Sequence, residues 1–305
     1  MTKPIAVFLG IILWATPMVF AAEAVRQNAP AQDPAVLLQK TAEEIRRILH
    51  EMDESLKAAK AELSATGIQG KEARAVLQKL YKANPYAFDC ATIDPDGIIV
   101  DVAPQEMSFI LGADISHQEQ IKRLLKTHEP VMSTAINTVE GFVAFDLEHP
   151  VLDPKGRFIG SVSVLTKPDF FGSVIGPTVA RFPVEMWMLQ KDGRIIYDIN
   201  PEEIGRNLFT DRLYADYLSL ITVGRKMAGT AKGRGHYVFL HKNLQKEVRK
   251  EVIWTTVALH KTEFRLALAY EKKDFEHVRA SPKARSLNLR AQPRCRVPGQ
   301  GRHKG

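Results

Sequence analysis

The chain has 305 residues, 45% hydrophobic, 25% charged and 8% aromatic; these ordinary globular values exclude wholesale disorder, collagen and coiled-coil fibre, and at ~100–150 residues per module they suggest two modules. The formal charge of +7, from 42 Lys and Arg against 35 Asp and Glu, would by itself suit a polyanionic partner such as nucleic acid. Residues 279–305 carry eight of those basic side chains and no acid, which leaves 34 basic against 35 acidic groups elsewhere, so the surplus belongs to a tail and nucleic acid drops out as a partner.

In chain order, residues 1–22 read MTKPIAVFLGIILWATPMVFAA. Lys3 is a short positive start, Ile5 to Phe20 an apolar stretch, and Val19-Phe20-Ala21 a cleavage motif, which together make a secretory signal peptide. The competing use is an uncleaved membrane anchor, although ~16 apolar residues are marginal for ~30 Å of hydrocarbon. Either way the remainder is expected outside the cytoplasm, in the periplasm or its equivalent. Residues 23–34 form a Pro- and Ala-containing linker.

From Pro34 the pattern is helical. Leu38, Ala42, Ile45, Leu49, Met52, Leu56, Ala59 and Leu63 are spaced alternately four and three apart, a heptad seam. It either packs on the protein's own sheets or pairs two such helices into a homodimer. Gly67 and Gly70 end the seam, and a shorter helix over 71–82 closes before Asn84-Pro85.

After Pro85 the texture becomes β-rich. DPDG (94–97), DPKG (153–156) and KDG (191–193) each precede an apolar run, and such turns are hairpin signals. Strands are expected over 141–148, 158–165, 184–189, 236–240, 252–259 and 264–270. The string IIVDVAPQE (98–106) aligns with IIYDINPEE (195–203), each after an Asp-Gly turn. The spacing of 97 residues is the size of a small α/β module, so two tandem copies of one fold are expected.

Motifs for catalysis are missing. GIQGKE (67–72) lacks the first glycine and the Ser/Thr of a phosphate loop, GTAKGRG (229–235) lacks dinucleotide-binding spacing, and no GxSxG or HExxH occurs. Asp146 and Glu148 share a strand face with no His in register. Cys90 and Cys295 form no CxxC or Cys/His cluster, so no metal or cofactor is expected, and the chain reads as non-enzymatic.

An exported chain with a long first helix and two such modules resembles the double Cache (dCache) sensor domains, PAS-like ligand-binding domains of chemoreceptors, histidine kinases and diguanylate cyclases. The resemblance covers about residues 35–273. It is carried by the order of IDPDGIIV (93–100), GADISHQEQIKRLLKTHEPVMSTAI (112–136), GFVAFDLEHPVLDPKGRFIGSVSVL (141–165), WMLQKDGRIIYDINPEEIGRNLFTD (187–211) and IWTTVALHKTEFRLALAY (253–270). It implies an α+β fold with a long N-terminal helix carrying two tandem PAS-like antiparallel-sheet modules. In domain terms these are helices over 35–85, a membrane-distal module over 86–180, a membrane-proximal module over 181–273 and a basic tail over 274–305.

The resemblance also implies a small-molecule site in the distal module, with residues 112–126 covering one sheet face and a further strand over 131–137 in the floor. One branch of the family binds amino acids through an Arg and aromatics on the covering helix and through Asp residues on strands. Here SHQEQIKRLL lacks the Arg-x-Trp/Tyr signature and Leu165 stands near the expected final Asp, which leaves Asp146 as the match. The candidate ligand-binding set is therefore His117, Lys122, Arg123, Ser133, Thr134, Asn137 and Asp146. Lys122 and Arg123 suit an anionic carboxylate, unless they are a solvated helix face. In the second module Trp187, Tyr197, Tyr214 and Tyr217 read as core aromatics.

Two functions are open at this level. One is an exported sensor passing its signal through the long helix or a dimer interface to a membrane-bound partner. The other is an extracytoplasmic interaction protein using the heptad seam, with no ligand. The tail starts about where a receptor's second membrane helix is expected, and reads as a replacement end or as a segment for anionic lipid.

Overall fold

The computed structural model describes residues 32–241 and 246–275. The expected signal peptide, most of the expected linker, Cys295 and all but the first residues of the basic tail lie outside the described residues. Among the described residues no helix is long and apolar enough to cross a membrane.

Helix α1 (Pro34–Thr66) starts where Asp33 accepts the Ala35 backbone N–H at 2.8 Å, with Pro34 at its first turn, a favourable cap and start. It ends at Gly67, whose φ of 85° suits glycine. Helix α2 (Lys71–Ala83) folds back on it. Every residue of the heptad seam is buried, Ala42, Ile45, Leu56 and Leu63 completely. They pack on strands of both modules, so the chain's own sheets fill the seam.

The distal sheet comprises β1 (Ala87–Ile93), β2 (Ile99–Ala103), β3 (Val131–Met132), β4 (Ile136–Asn137), β5 (Val143–Leu152) and β6 (Phe158–Thr166). Its order is β2-β1-β6-β5-β3, with β4 also on β5. A 3₁₀ turn (Gln105–Ile110) and helix α3 (Glu119–Thr127) cover the face away from α1. Helix α4 (Asp169–Arg181) leads to the proximal sheet of β7 (Glu185–Gln190), β8 (Ile195–Tyr197), β9 (Gly233–His241), β10 (Lys246–Leu259) and β11 (Thr262–Tyr270), with helix α5 (Leu218–Gly229) between β8 and β9. Its order is β8-β7-β11-β10-β9. With β3 and β4 counted as one interrupted strand, both sheets wind in one sequence, second-first-fifth-fourth-third, which is the tandem α+β architecture expected.

The repeat is real, but its register is 96 rather than 97. Ile99 N donates to Ala113 O and Ile99 O accepts from Gly112 N; Ile195 makes the same pair with Arg206 and Gly205. The bulges agree, between Thr92 and Ile93 in one sheet and between Met188 and Leu189 in the other. In a strand a one-residue slip swaps the faces, so Asp101 corresponds to Tyr197 rather than Asp198. Asp101 is buried and holds Arg74 at 2.9 Å, tying α2 to β2.

One apolar core runs through both modules. Phe145 of β5 meets Phe171 of α4 at 5.4 Å and Phe264 of β11 at 5.3 Å between ring centres. Polar ties reinforce it. Arg46 donates to Thr256 O at 2.7 Å, and Thr262 Oγ1 to Met132 O at 2.6 Å. Ala135 N donates to Gln190 Oε1 at 2.6 Å, and Arg194 donates to Ala135 O at 3.1 Å. The expected strand 131–137 is split for this reason: Ser133 still bonds Asp146 of β5, whereas Ala135 turns its N–H and C=O to the proximal module. A further tie joins Asp53 of α1 to His149 of β5 and to His260 in the β10–β11 turn. Burial would raise the Asp53 carboxyl, but the bonds from His149, His260 and Lys57 outweigh it and hold the group well below the usual carboxylate range.

Candidate functional site

The distal sheet presents one face to α1 and the other to a cavity. On the cavity face strand alternation selects Asp89, Ala91 and Ile93 of β1, Asp146 of β5, and Ser163 and Leu165 of β6. Ile99 of β2 extends that face, Ile110, Ile115 and Gln118 roof it, and Ile136, Thr138, Val139 and Glu140 close the side. The volume is about 30 Å³, room for a few atoms.

Its chemistry is acidic, with no Lys or Arg among the wall residues. Asp89 and Asp146 are both buried. Burial first, then the nearby Glu140 and Asp146 charges, pushes the Asp89 carboxyl well up. Burial pushes Asp146 up to about 7 against opposing hydrogen bonds from Gln120 and Ser163, with the Glu140 charge adding to the rise. Glu148, two residues along the same face, is raised by burial and by Asp146, although Ser161 donates to it. Asp89 Oδ2, Asp146 Oδ1, Glu140 Oε2, Gln120 Oε1 and Glu148 Oε2 are buried and have no hydrogen-bond partner. Native interiors rarely leave such acceptors unmatched, and each costs about 1–3 kcal/mol while it stays so.

Of the residues expected from sequence, Asp146 alone stands in the wall. His117, Thr134 and Asn137 are exposed. Lys122 is exposed and pairs with Glu119 at 2.8 Å, and Arg123 donates to Met132 O at 2.9 Å. The reason is helical phase: Gln120, Ile121 and Leu124 take the inward face of α3, which turns Lys122 outward and Arg123 toward β3. Ser133 is buried, but its N–H and Oγ are bound to the Asp146 backbone at 2.8 Å each, so it positions the strand. Asp89 and Glu140 were missed. The available signal was a carboxylate inside the apolar strand AFDCATI, on the same parity as Ala91 and Ile93.

Trp187, Tyr197 and Tyr214 are buried as core, with Tyr217 at their edge. Trp254 also fills the space against Gly233, where a Cβ would stand 2.3 Å from the indole.

Residues 47–168 match the family model described as "HK/GC/Chemotaxis protein-like, sensor domain". Over that stretch the chain is similar to the sensor domains of histidine kinases and chemotaxis proteins. It is 49% identical to an extracellular ligand-binding receptor from Desulfohalobium retbaense, with a TM-score of 0.67 over 77% of this chain. It spans 39% of that receptor's length. The ligand-binding domain of the Pseudomonas aeruginosa amino-acid chemoreceptor PctB, solved with L-Gln, aligns at 12% identity and TM-score 0.58 over 85% of this chain and 98% of that one. That of the Pseudomonas fluorescens chemoreceptor CtaA, solved with L-serine, aligns at 11% and 0.55 over 84% and 99%. Among curated proteins none matches. These neighbours are sensor and receptor domains, and at such low identity the two chemoreceptors support the fold alone. The Cache architecture accounts for the shared winding of the two sheets and for the long helix that spans them.

Proposed function

We propose that this domain is an extracytoplasmic, non-enzymatic sensor whose distal cavity takes a small organic cation, an amine or the ammonium end of an amino acid. The observation that carries it is the pair Asp89 and Asp146, buried carboxyls with unpartnered oxygens in a wall that has no basic residue. A primary ammonium brings three N–H donors and a charge to those acceptors, and such charge-assisted bonds are the strong kind. An anionic carboxylate would meet Asp89, Glu140 and Asp146 instead, so the anionic ligand expected from Lys122 and Arg123 is replaced by a cationic one. L-Gln and L-serine in the PctB and CtaA structures carry the same ammonium group.

The cavity admits such a ligand when residues 136–140 move outward. Those residues continue directly from Ala135, which is held by Gln190 and Arg194. Movement at the cavity wall is thereby delivered to the proximal module, and from there to a membrane-bound signalling partner. The test is a thermal-shift screen of amines, amino acids and simple carboxylates on the full chain. Stabilisation by ammonium compounds, lost in Asp146→Asn, is expected; stabilisation by carboxylates lacking an amine, or an unchanged response in Asp146→Asn, overturns the reading.

A further inference from the structure

Away from that cavity, three side chains with metal-ligating atoms meet where α1, the distal sheet and the proximal hairpin touch. We propose that Asp53, His149 and His260 form a divalent transition-metal site, of the Zn²⁺ type, that fastens the two modules to the long helix.

His149 Nε2 and His260 Nε2 both lie against one atom, Asp53 Oδ1, at 2.6 and 2.5 Å. The imidazole rings stand at 78° to each other with centres 5.5 Å apart, so they converge on one point from different directions. All three ligand atoms lie within 4.8 Å of one another. Tetrahedral coordination with bonds of ~2.0–2.1 Å separates ligand atoms by roughly 3.3 Å, so a retreat of the carboxylate by under ~1 Å makes room for the ion. Two imidazoles and a carboxylate suit Zn²⁺, Co²⁺ or Ni²⁺ and not Ca²⁺ or Mg²⁺, which take oxygen ligands.

The surroundings leave the site reachable. Asp53 and His149 are buried, whereas His260 keeps 18% of its side chain exposed. His50 and Glu54 stand beside Asp53 on the outer side of α1, with His50 or water available as a fourth ligand. Lys57 touches the other carboxylate oxygen at 3.0 Å and Glu54 at 2.6 Å, so it has an anion to turn to when a cation enters.

The hairpin backbone is a second, independent observation. Leu259 pairs with Thr262, so the turn is only His260 and Lys261, and both have positive φ, 46° and 69°. Such two-residue turns favour Asn and Gly, and left-handed backbone at other residues is kept where a function needs it. Here it aims His260 inward, while Lys261 pairs with Glu129 at 2.5 Å.

The experiment uses the full chain, stripped with chelator and titrated with Zn²⁺, Co²⁺ and Ca²⁺. Zn²⁺ in large excess over its dissociation constant is expected to raise the unfolding midpoint by roughly 5 °C, and Co²⁺ to give the visible absorption of a tetrahedral complex. His260→Asn, chosen because Asn tolerates the left-handed turn, should fold and lose both signals. No midpoint shift and no Co²⁺ colour in the wild type overturn the proposal. So do signals retained in both His260→Asn and Asp53→Asn, which would place the ion elsewhere, or an equal response to Ca²⁺.

Discussion

Asp89 and Asp146 stand opposite the same residue, Leu165, one from each neighbouring strand. Two carboxyls that are 57 residues apart in the chain therefore lie in one row across the distal sheet, their Cα atoms roughly 10 Å apart at two strand spacings. A cation between them meets both, and without one each is a buried acid beside another.

The ligand class follows from that row. Asp89→Asn and Asp146→Asn each keep the shape and remove a charge, and each is expected to weaken an ammonium ligand by tenfold or more, as loss of a charged hydrogen bond of about 1.5–3 kcal/mol implies. Lys122→Ala, outside the wall, should leave affinity unchanged. Isothermal titration on the three variants checks this, and an equal loss in Lys122→Ala would contradict the assignment.

The same acids set a pH dependence. Asp146 is raised to about 7 in the folded protein, above its value in the unfolded chain. The folded state therefore holds the extra proton between the ordinary carboxylate range and about pH 7, and stability in the absence of ligand falls as pH rises through that window. Denaturant midpoints should decline from pH 5 to pH 8, and Asp146→Asn should flatten the decline. A cationic ligand binds the ionised form, so its affinity should rise over the same interval. A flat profile in the wild type would count against a neutral Asp146.

Coupling between the modules is expected to run through residues 133–135. Gln190→Ala removes the acceptor for Ala135 N, and Arg194→Ala removes the donor to Ala135 O. Both side chains lie outside the cavity wall, so ligand affinity should change by less than about twofold. Ligand-induced protection from hydrogen exchange in β7 and β8 should be lost. Protection that persists in the double variant would mean the signal takes another route.

The seam of α1 makes a stability prediction. Leu49 is almost wholly buried in the shared core, and Leu49→Ala should cost about 2–5 kcal/mol, lowering the unfolding midpoint by roughly 5–15 °C. Because the seam faces the chain's own sheets, the oligomeric state should be the same before and after, as measured by light scattering. A change in oligomeric state with little loss of stability would show that the seam contacts another chain.

Much of the fold was legible because it is local. The 3-4 spacing of α1, the Asp33-Pro34 start, the Gly67 stop and the Asp-Gly turns are read within a few residues, and they placed most strands to within two or three positions. The long β10 and the break at 133–135 were not legible, since both are set by partners far away in the chain. The site was less legible still. Asp146 was found through a resemblance, whereas Lys122 and Arg123 were chosen for charge on a helix whose phase turns them out of the cavity. Asp89 lay in plain view, but a carboxylate in an apolar strand has meaning only once it is known what shares its face.

By itself, the sequence determined the alternation of one long helix with two copies of a β-rich module, because period, turn chemistry and repetition are properties of neighbouring residues. Tertiary structure alone decided that the helical seam belongs to the chain's own sheets, that the repeat runs at 96 residues, and that the distal cavity is acidic. It also brought Asp53, His149 and His260 onto one point from three elements. Faces, phases and convergence depend on which strands lie side by side, and sheet pairing is set by contacts between residues remote in sequence.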